Sequence, residues 1–586
     1  MIVPMKKVTL LMSAREQSST LKQLRKMGVL HIKHIQPPES NDVDSIKSQI
    51  AATGKALRIL KTREPGKQRK LKTGITELVS QVIDLDKNLV ETAEALDDAN
   101  TRRNFLKQWG DPSASSIRKL EEKGLHIWLF QTDKKTLKNL PGDKQIKVLA
   151  EDSAVYLVQF AESEEDKLDL REIRLPEQEV AEIKAEVRRL KAEKLKIEKL
   201  LNGQRAFSKA LSEILADLEK QLELCRVSAG MGVEDRFVYV QGFCPEDRAE
   251  ALKTASDASG WGLVLEDPDN PSEVPTLLKN SKVPRIIEPL FQFMGTLPGY
   301  QETDVSFVFL LFFSVFYAMI IGDAGYGVVF LIATTFFRMK NRKAPFEPFA
   351  LFYVLSVATI IWGLLSGTWF GSQAIAAWPP LKQFIIKPMF SFNDSKDATI
   401  FMMRFSFILG LLHLMVAHFM AFLKKLPALK AVAQLGWVLI CAGMFFVVDL
   451  LVLSQPLPRL GVILLISGIS VVGLFTNFHK NPLKLLGSFM LTVAESIQTV
   501  ISAFSDIVSY IRLFAVGLAT VTVAVSFNDM ANGIFAPLVL VLGHGLNIIL
   551  GMLSVMVHGV RLNMLEFSGH LGQEWSGTPY KPFKES

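Results

Sequence analysis

Long apolar segments separated by short polar connections fill the C-terminal half of the chain, and this pattern constrains the fold more than any other feature. Apolar stretches of membrane-spanning length run from residue 304 to residue 570, whereas residues 1 to about 290 are rich in Lys, Arg, Asp and Glu. A helix needs about 20 apolar residues to cross a bilayer. The sequence therefore predicts an α-helical polytopic membrane domain over 291–586, preceded by a cytoplasmic α+β domain over 1–290.

The motif GDAGYG at 322–327 interrupts the first apolar stretch, 304–338. As a single helix this stretch would be about 50 Å long, well beyond a hydrocarbon core of about 30 Å. Two short spans that meet at a Gly-rich turn fit better. With the later stretches we predict about eight spans, the last two long and tilted. The later stretches are 347–372, 399–424, 432–453, 458–477, 487–528 and 534–568.

Basic residues in the connections indicate which ends of the spans face the cytoplasm. Nine lie in connections that the eight-span topology places inside, and four lie in connections that it places outside. The excess follows the positive-inside rule and predicts that both termini are cytoplasmic. The inside set is Arg338, Lys340, Arg342, Lys343, Lys424, Lys425, Lys430, Lys480 and Lys484, and the outside set is Lys382, Lys387, Lys396 and Arg459.

Composition argues against several functions. The net charge of +7 is modest, and the basic residues are not gathered into a patch with aromatic residues, so nucleic-acid binding is not expected. The three cysteines, Cys225, Cys244 and Cys441, have no disulfide or metal-ligand spacing. We therefore expect no cofactor and no metal. The N-terminus has too short an apolar run for a signal peptide, so the soluble half should remain cytoplasmic.

Two strand–helix–strand segments, 6–35 and 236–267, lie far apart in the soluble half. Neither has much core alone, so we expect them to form one proximal lobe from residues 1–50 and 230–275.

An antiparallel coiled coil, 73–108 with 178–225, should carry a distal α/β lobe, 109–177. Its two seams follow heptad spacing, and a simple spacer would show the same spacing. The Gly of EPGKQRK at 64–70 lacks the context of a phosphate loop, so this half should not hydrolyse nucleotide. The seam positions are Leu78, Val82, Leu85, Leu89, Thr92 and Leu96, and Ile183, Val187, Leu190, Lys194, Ile197 and Leu201.

Polar side chains recur every three or four residues along the last two apolar stretches, so each stretch carries a polar stripe on one face. An ionisable group deep in a membrane is costly and needs a partner or a function. Two polar stripes imply a water-filled path, either between the two helices or between these helices and another protein. The stripes comprise Glu495, Gln498, Ser502, Asp506, Ser509 and Arg512, then His544, Asn547, Gly551, Ser554, His558 and Arg561, with Glu566 beyond.

Structural pairing is the alternative explanation for both arginines. Arg512 could pair with Asp506 or Glu495, and Arg561 could snorkel or pair with Glu566. His544 and His558 could equally be hydrogen-bonding groups between helices or proton carriers.

Several motifs resemble those of V/A-type rotary ATPase subunit a, called subunit I in bacteria and archaea. SYIRLFAVGLA at 509–519 is similar to that family's SYxRLxAxxLA segment, and HGVRL at 558–562 with LEF at 565–567 resembles its final helix. The tail GTPYKPF, the turn GDAGYG, GTWFG at 367–371, GLLH at 410–413 and LRKMGVLHI at 24–32 extend the likeness over nearly the whole chain.

The resemblance implies a stator subunit of the membrane sector. Arg512 would face the ion-binding carboxylate of a proteolipid ring, and the polar stripes would line two ion half-channels. The coiled coil and its distal lobe would form an arm that binds peripheral stalks, and these stalks would lead to the soluble catalytic ATPase head. The chain alone would have no catalytic residues, and the ion, H⁺ or Na⁺, is not specified.

Four positions depart from the family pattern. Thr520 and Gly551 replace a His and an acid that are frequent in eukaryotic members, which favours a bacterial or archaeal form in a plasma membrane. Gln498 stands where relatives often have Glu, and Val305 where Pro is common. A self-contained secondary transporter is the alternative function, although no repeat between halves of the membrane domain supports it. A membrane anchor for a scaffold would leave the Arg stripes unexplained.

Overall fold

The structure is a computed structural model and describes residues 1–62, 74–138, 140–141, 144–151, 154–175, 178–393, 395–478 and 482–585. The segment EPGKQRK and Lys480 lie outside these residues. The strands are β1 (Met5–Ser13), β2 (His31–Lys33), β3 (His126–Thr132), β4 (Gln145–Glu151), β5 (Val155–Ala161), β6 (Gly232–Glu234), β7 (Phe237–Pro245) and β8 (Gly262–Glu266).

The helices of the first half are α1 (Gln17–Met27), α2 (Asn41–Lys61), α3 (Ile75–Gln108), α4 (Ala114–Glu121), α5 (Lys134–Lys138), α6 (Val180–Gln204), α7 (Ser208–Ala229), α8 (Glu246–Ser259) and α9 (Glu288–Met294). Those of the second half are α10 (Ser306–Ile321), α11 (Ala324–Lys340), α12 (Glu347–Ser366), α13 (Gln373–Ala376), α14 (Pro379–Lys382), α15 (Lys396–Lys425), α16 (Val432–Leu453), α17 (Arg459–Phe475), α18 (Pro482–Ser509), α19 (Ile511–Met530), α20 (Ala536–Ser554) and α21 (Ser568–Leu571).

The chain divides into two compact units. Unit 1 comprises Met1–Leu10, Gly28–Lys33 and Gln241–Phe583. Unit 2 comprises Leu11–Met27, His34–Val240 and Lys584–Ser586.

Helix pairing dominates unit 2. α3 packs against α6, and α2 packs against α7. The seam residues are buried or half-buried because heptad spacing returns them to the same side of each helix. The main core cluster is Ala56, Leu57, Leu60, Leu78, Val79, Val82, Ile197, Leu201 and Leu211.

Unit 2 differs from the predicted two-helix coiled coil in its helix count. Residues 41–50 were assigned to the proximal lobe but begin α2, whose side chains Ala56, Leu57 and Leu60 join the core. The segment 178–225 was expected to be one helix but is broken at Arg205–Phe207. The Arg205 guanidinium donates to the carbonyl oxygens of Leu60 and Lys61 at 2.8 and 2.9 Å, so the end of α2 is held at this break.

A three-stranded antiparallel sheet with the order β3–β5–β4 lies between α3 and α6 in the sequence. Trp128 is opposite Gln159, and Phe130 is opposite Leu157. Apolar residues cover both faces: Trp109 packs edge-on against Tyr156 on one side.

Val82 is fully buried in the core of unit 2, whereas Val90 on the same helix is 51% exposed. Val82→Asp should destabilise the α3–α6 pair by about 3 kcal/mol or more, because a buried carboxylate has no partner there. Limited trypsin digestion of the purified full chain should then cut the arm faster. Val90→Asp is the matched control and should digest like the wild type; equal rates for the two variants would contradict the packing.

A sheet in the order β2–β7–β1–β8 combines strands from both predicted strand–helix–strand segments. β2 pairs antiparallel with β7, so that His31 is opposite Phe243. In unit 1, Met5, Phe243 and Val274 form a small core on this sheet.

The C-terminal tail is bound to the sheet region of unit 1. The Tyr580 hydroxyl donates to the Val29 carbonyl oxygen at 2.7 Å, and the Phe583 amide donates to the Leu30 carbonyl oxygen at 2.8 Å. Burial raises the pKa of Tyr580, so the phenol stays protonated and remains a donor at neutral pH. The GTPYKPF motif thus fastens the end of the last membrane helix to the N-terminal strands.

Five helices are long and apolar enough to cross a membrane. They are Glu347–Ser366, Lys396–Lys425, Leu429–Leu453, Pro482–Met530 and Gly533–Leu571. The protein is therefore a multi-pass membrane protein. The 49-residue stretch that joins α18 and α19 is about 74 Å long, so it must tilt or extend beyond the bilayer.

The predicted count of eight spans stays a prediction. α10 and α11 are bent by 119° at their junction, and counting this pair as one span raises the number of candidate spans from five to six. With 16 and 17 residues these helices are only about 24–26 Å long, and α17 also has 17 residues. The eight-span prediction includes these three helices, which lie at the lower length limit of a membrane span.

The orientation in the membrane remains a prediction from the basic residues. In a cysteine-free background, Lys340→Cys should react with an impermeant maleimide only from the cytoplasmic side, and Gln383→Cys only from the opposite side. The connections near Lys340 hold the excess of basic residues, which resist translocation. Labelling of both positions from the same side would refute the topology.

Candidate functional site

Arg512 lies next to a break in the long C-terminal helix. α18 ends at Ser509 and α19 begins at Ile511, with the buried Tyr510 between them. The Arg512 Nη2 atom donates to Ser509 Oγ at 2.7 Å and to Glu566 Oε1 at 3.2 Å. The Glu566 side chain is 4% exposed and that of Arg512 is 25% exposed. A buried carboxylate therefore holds a guanidinium that is still partly accessible.

Arg561 shares the same carboxylate. Its Nε atom lies 3.5 Å from Glu566 Oε1, and its side chain is 52% exposed. The predicted pair of Arg561 with Glu566 is present, whereas the alternative partners of Arg512, Asp506 and Glu495, are wrong. Charge balance explains the sharing, since a buried Glu566 needs cationic neighbours. The two arginines and Glu566 together carry a formal charge of +1.

Two wide helical turns bring Glu566 to this position. Val555–Gly559 and Leu562–Phe567 are π-helical, and Arg561 lies between them. π-Helical turns are often found at functional sites. The Glu566 Oε2 atom is buried and accepts no hydrogen bond from any described residue, so it remains available as an acceptor.

Close helix contact fixes α19 against α10. A Cβ atom at Gly517 would lie 2.4 Å from the Met319 carbonyl oxygen, so only glycine permits this approach. The Thr520 hydroxyl also donates to the Ile320 carbonyl oxygen at 3.1 Å. Arg512 is thereby placed on a helix that cannot slide freely past the first membrane helix.

Asp506 takes part in a chain of hydrogen bonds through two histidines. His570 Nε2 lies 3.0 Å from Asp506 Oδ2, and His570 Nδ1 lies 2.9 Å from His418 Nε2. His418 Nδ1 lies 3.1 Å from Gln434 Oε1. The polar stripe predicted from the sequence includes Asp506 but neither histidine.

A second polar cluster surrounds His544. Its Nδ1 atom lies 2.8 Å from the Tyr326 hydroxyl, and its Nε2 atom lies 3.2 Å from Asn528 Oδ1. The buried Asn547 donates to the Tyr326 hydroxyl at 3.0 Å and to the Thr520 carbonyl oxygen at 2.9 Å. Two predicted site residues, His544 and Asn547, therefore meet at a tyrosine from the GDAGYG turn.

The remaining predicted residues are not joined to these clusters. Glu495, Gln498 and Ser502 are exposed along α18, and Ser554 and His558 are half-buried. Within the described part of the chain, none of these five side chains forms a hydrogen bond to another residue. The polar stripe on α18 thus faces outward over its first half.

Several ionisable groups inside apolar helices were missed. Arg404 Nη2 lies 2.7 Å from Asp449 Oδ2, and the fully buried His413 lies 2.9 Å from the Tyr510 hydroxyl through Nδ1. The signal was present in the sequence, since any ionisable residue within a membrane helix needs a partner. What was lacking was the identity of that partner, which lies on another helix.

Asp323 organises the turn between α10 and α11. Its carboxylate accepts from the backbone amides of Gly325 and Tyr326 and, across to the GTWFG turn, from those of Phe370 and Gly371 at 2.9 Å. Gly322, with φ of +69°, lets the chain reverse immediately before it. One buried carboxylate therefore joins two turns.

Buried charged groups paired across apolar helices define the molecule as a multi-pass membrane protein with a polar interior. Comparison with known proteins identifies its family. The chain is 33% identical to V-type ATP synthase subunit I of Borreliella burgdorferi and 30% identical to V-type ATP synthase subunit I 1 of Treponema pallidum, in each case over 100% of both chains. It is 26% identical to A-type ATP synthase subunit I of Methanocaldococcus jannaschii, over 75% of this chain and 70% of that protein.

The chain belongs to the family of V-type and A-type ATP synthase subunit I. It is thus a membrane-sector subunit of a rotary ATPase and assembles with other ATPase subunits. No protein-family model matches it. The crystal structure of the cytoplasmic N-terminal domain of a subunit I, described as a homolog of subunit a of V-ATPase, aligns with 44% of this chain and 99% of that one at 13% identity and a TM-score of 0.25. The family assignment rests on the relatives and not on that alignment.

Replacing Asp323 tests the structural role of its turn. Asp323→Ala should leave four buried amides without their acceptor and lower the stability of the membrane unit by about 3 kcal/mol or more. Asp397→Ala is the matched control, because Asp397 is exposed in the first turn of α15. The measurement is thermal unfolding of the purified chain in detergent. Equal melting temperatures for the two variants would contradict the role of Asp323.

Proposed function

We propose that the chain is the stator subunit that conducts ions past a proteolipid ring, with Arg512 facing the ring's ion-binding carboxylate. The observation that carries this proposal is the set Arg512, Arg561 and Glu566. Its net charge of +1 suits one further carboxylate, which would make the group neutral. Arg512 is held at one end by Ser509 and Glu566 and still exposes a quarter of its side chain.

The surface around Arg512 supports a protein partner at this position. Within one 18-residue apolar stretch of each candidate span, 33% and 22% of the residues are buried in the two C-terminal candidates, against 39–44% in the other three. Lipid could cover their apolar residues. It could not satisfy Glu495, Gln498 and the half-exposed Arg561, because charged and amide groups are costly in hydrocarbon. A proteolipid ring that carries its own polar groups would cover the apolar residues and would also satisfy these polar side chains.

The chemistry follows from charge. A ring carboxylate must be neutral, by binding an ion, when it faces lipid, and it can be ionised only beside a cation. The guanidinium of Arg512 keeps its charge at any accessible pH and can stabilise the carboxylate after the ion leaves. Arg561 offsets the charge of Glu566, so Glu566 can position Arg512 without neutralising it.

Two polar clusters lie on either side of Arg512 along the chain and would line the half-channels. Asp506 with His570 forms one cluster, and Asn528 with His544 forms the other. Asp506 and Asn528 are 22 residues apart, or about 33 Å along a helix. This span matches the thickness of a hydrocarbon core, so the two clusters could open to opposite sides. Arg512 between them would block direct leakage.

The soluble half would transmit force. In this proposal the coiled coil of unit 2 and its distal sheet bind the peripheral stalks that lead to the catalytic ATPase head. The protein would lie in a prokaryotic plasma membrane with both termini in the cytoplasm. Rigid helix pairs suit this task because torque from the head has to be resisted.

Arg512 is expected to be indispensable. Arg512→Ala should lower ATP-driven ion uptake at least about 100-fold in vesicles that contain the assembled complex, because the ring carboxylate loses its stabilising cation. Arg512→Lys should also largely fail, since an ammonium lacks the planar fork of a guanidinium and can lose its proton when it is desolvated. Arg561→Ala should lower the rate of ion uptake but leave it measurable.

Uptake is normalised to the amount of assembled complex. Arg459→Ala is the matched control, because Arg459 is exposed at the start of α17. It should transport at the wild-type rate. Near-normal uptake by Arg512→Ala would remove this residue, and with it the mechanism, from consideration.

A further inference from the structure

Three ligand-type side chains converge on one point between α15, α16 and α21. The nearest ligand atoms of His418, Cys441 and His570 all lie within 4.8 Å of one another. His418 and Cys441 are 5% and 0% exposed, and the His570 side chain is 7% exposed. Their sequence spacing gives no hint of this, because the three residues are 23 and 129 positions apart.

Each histidine is fixed from its outer side. His570 Nε2 lies 3.0 Å from Asp506 Oδ2, and His418 Nδ1 lies 3.1 Å from Gln434 Oε1. Histidines that bind metal ions nearly always donate their other N–H group to a carboxylate or a carbonyl oxygen in this way. The arrangement leaves the two remaining nitrogens, His418 Nε2 and His570 Nδ1, facing each other.

These outer bonds set the chemistry of the inner atoms. If each histidine donates its outer N–H, both inner nitrogens present lone pairs to each other at 2.9 Å. Two lone pairs at this distance repel unless a cation lies near both. A proton or a metal ion could serve, and the sulfur of Cys441 within reach of both nitrogens favours the metal ion.

We propose that His418, Cys441 and His570 bind one Zn²⁺ ion. Imidazole nitrogen and thiolate sulfur are both ligands that zinc accepts, whereas magnesium and calcium require oxygen ligands. Zinc lies about 2.0–2.1 Å from nitrogen and about 2.3 Å from sulfur, so the two nitrogens would move apart and the sulfur would approach them as the ion enters. Binding breaks the Cys441 S–H bond, releases that proton to solvent and forms a zinc–thiolate bond.

The site would link side chains from three helices of the membrane unit. His418 lies near the end of α15, Cys441 is in the middle of α16, and His570 is in the last short helix. The ion would fix the end of the final helix in place. The proposal does not depend on ion transport, and its test measures metal binding directly.

Cobalt(II) serves as the probe because it binds zinc sites and gives a near-ultraviolet thiolate-to-cobalt charge-transfer band. The purified full chain in detergent is titrated with cobalt chloride. We expect one ion per chain, a charge-transfer band, and loss of the band when zinc is added. Cys441→Ser should abolish the band. Cys244→Ser is the matched control, because Cys244 is also fully buried but lies in β7.

Asp506→Ala provides a test that does not remove a ligand. Asp506 is 29% exposed, so its loss should be tolerated by the fold. Without the carboxylate that orients His570, cobalt affinity should fall about 10–100-fold while the band keeps its shape. If Cys441→Ser does not elute as a folded chain on gel filtration, this affinity loss decides the question.

Three outcomes would overturn the proposal. The first is a wild-type chain with no charge-transfer band, which would show that only a proton joins the histidines. The second is a folded Cys441→Ser variant that retains the band. The third is unchanged cobalt affinity in Asp506→Ala.

Discussion

The carboxylate of Glu566 is the group on which the organisation of the membrane unit depends most. It is almost completely buried and lies within 3.5 Å of two guanidinium groups from different helices. Removing a carboxylate from water is unfavourable unless cationic groups lie beside it. Their meeting joins the break after α18 to the π-helical end of the last helix. It also leaves one positive charge in excess, and the proposed stator role depends on this charge.

The scaffold around this set is held by backbone contacts. Asp323 binds four amides in two turns, and Gly517 allows α19 to touch the backbone of α10. Neither contact involves an ion path. Both fix the helices that carry Arg512 and Tyr326, so the position of the charged group depends on residues that take no part in the chemistry. The tail contributes as well, because Tyr580 and Phe583 hold the chain beyond Glu566 on the strands of unit 1.

The proposed zinc site and the polar clusters show how far spacing can mislead. The sequence spacing of Cys441 predicts no metal site. In the folded chain, histidines from α15 and α21 lie beside it. Arg404 and Asp449, which lie on two different helices, also form an ion pair. In each case the partners lie on different helices, and a sequence pattern reports on only one element at a time.

By itself the sequence determined the division into a charged half and an apolar half, the heptad seams of α3 and α6, and the choice of Arg512, Arg561 and Glu566. These follow from local rules, because periodicity within a helix sets which side chains share a face and the cost of a charge in lipid marks it as special. Tertiary structure alone decided that α2 joins the coiled coil, that α10 and α11 are bent by 119° at their junction, and that Arg512 pairs with Glu566 and not with Asp506. Such choices depend on which helices lie side by side, and packing between distant segments sets that arrangement, which no local pattern records.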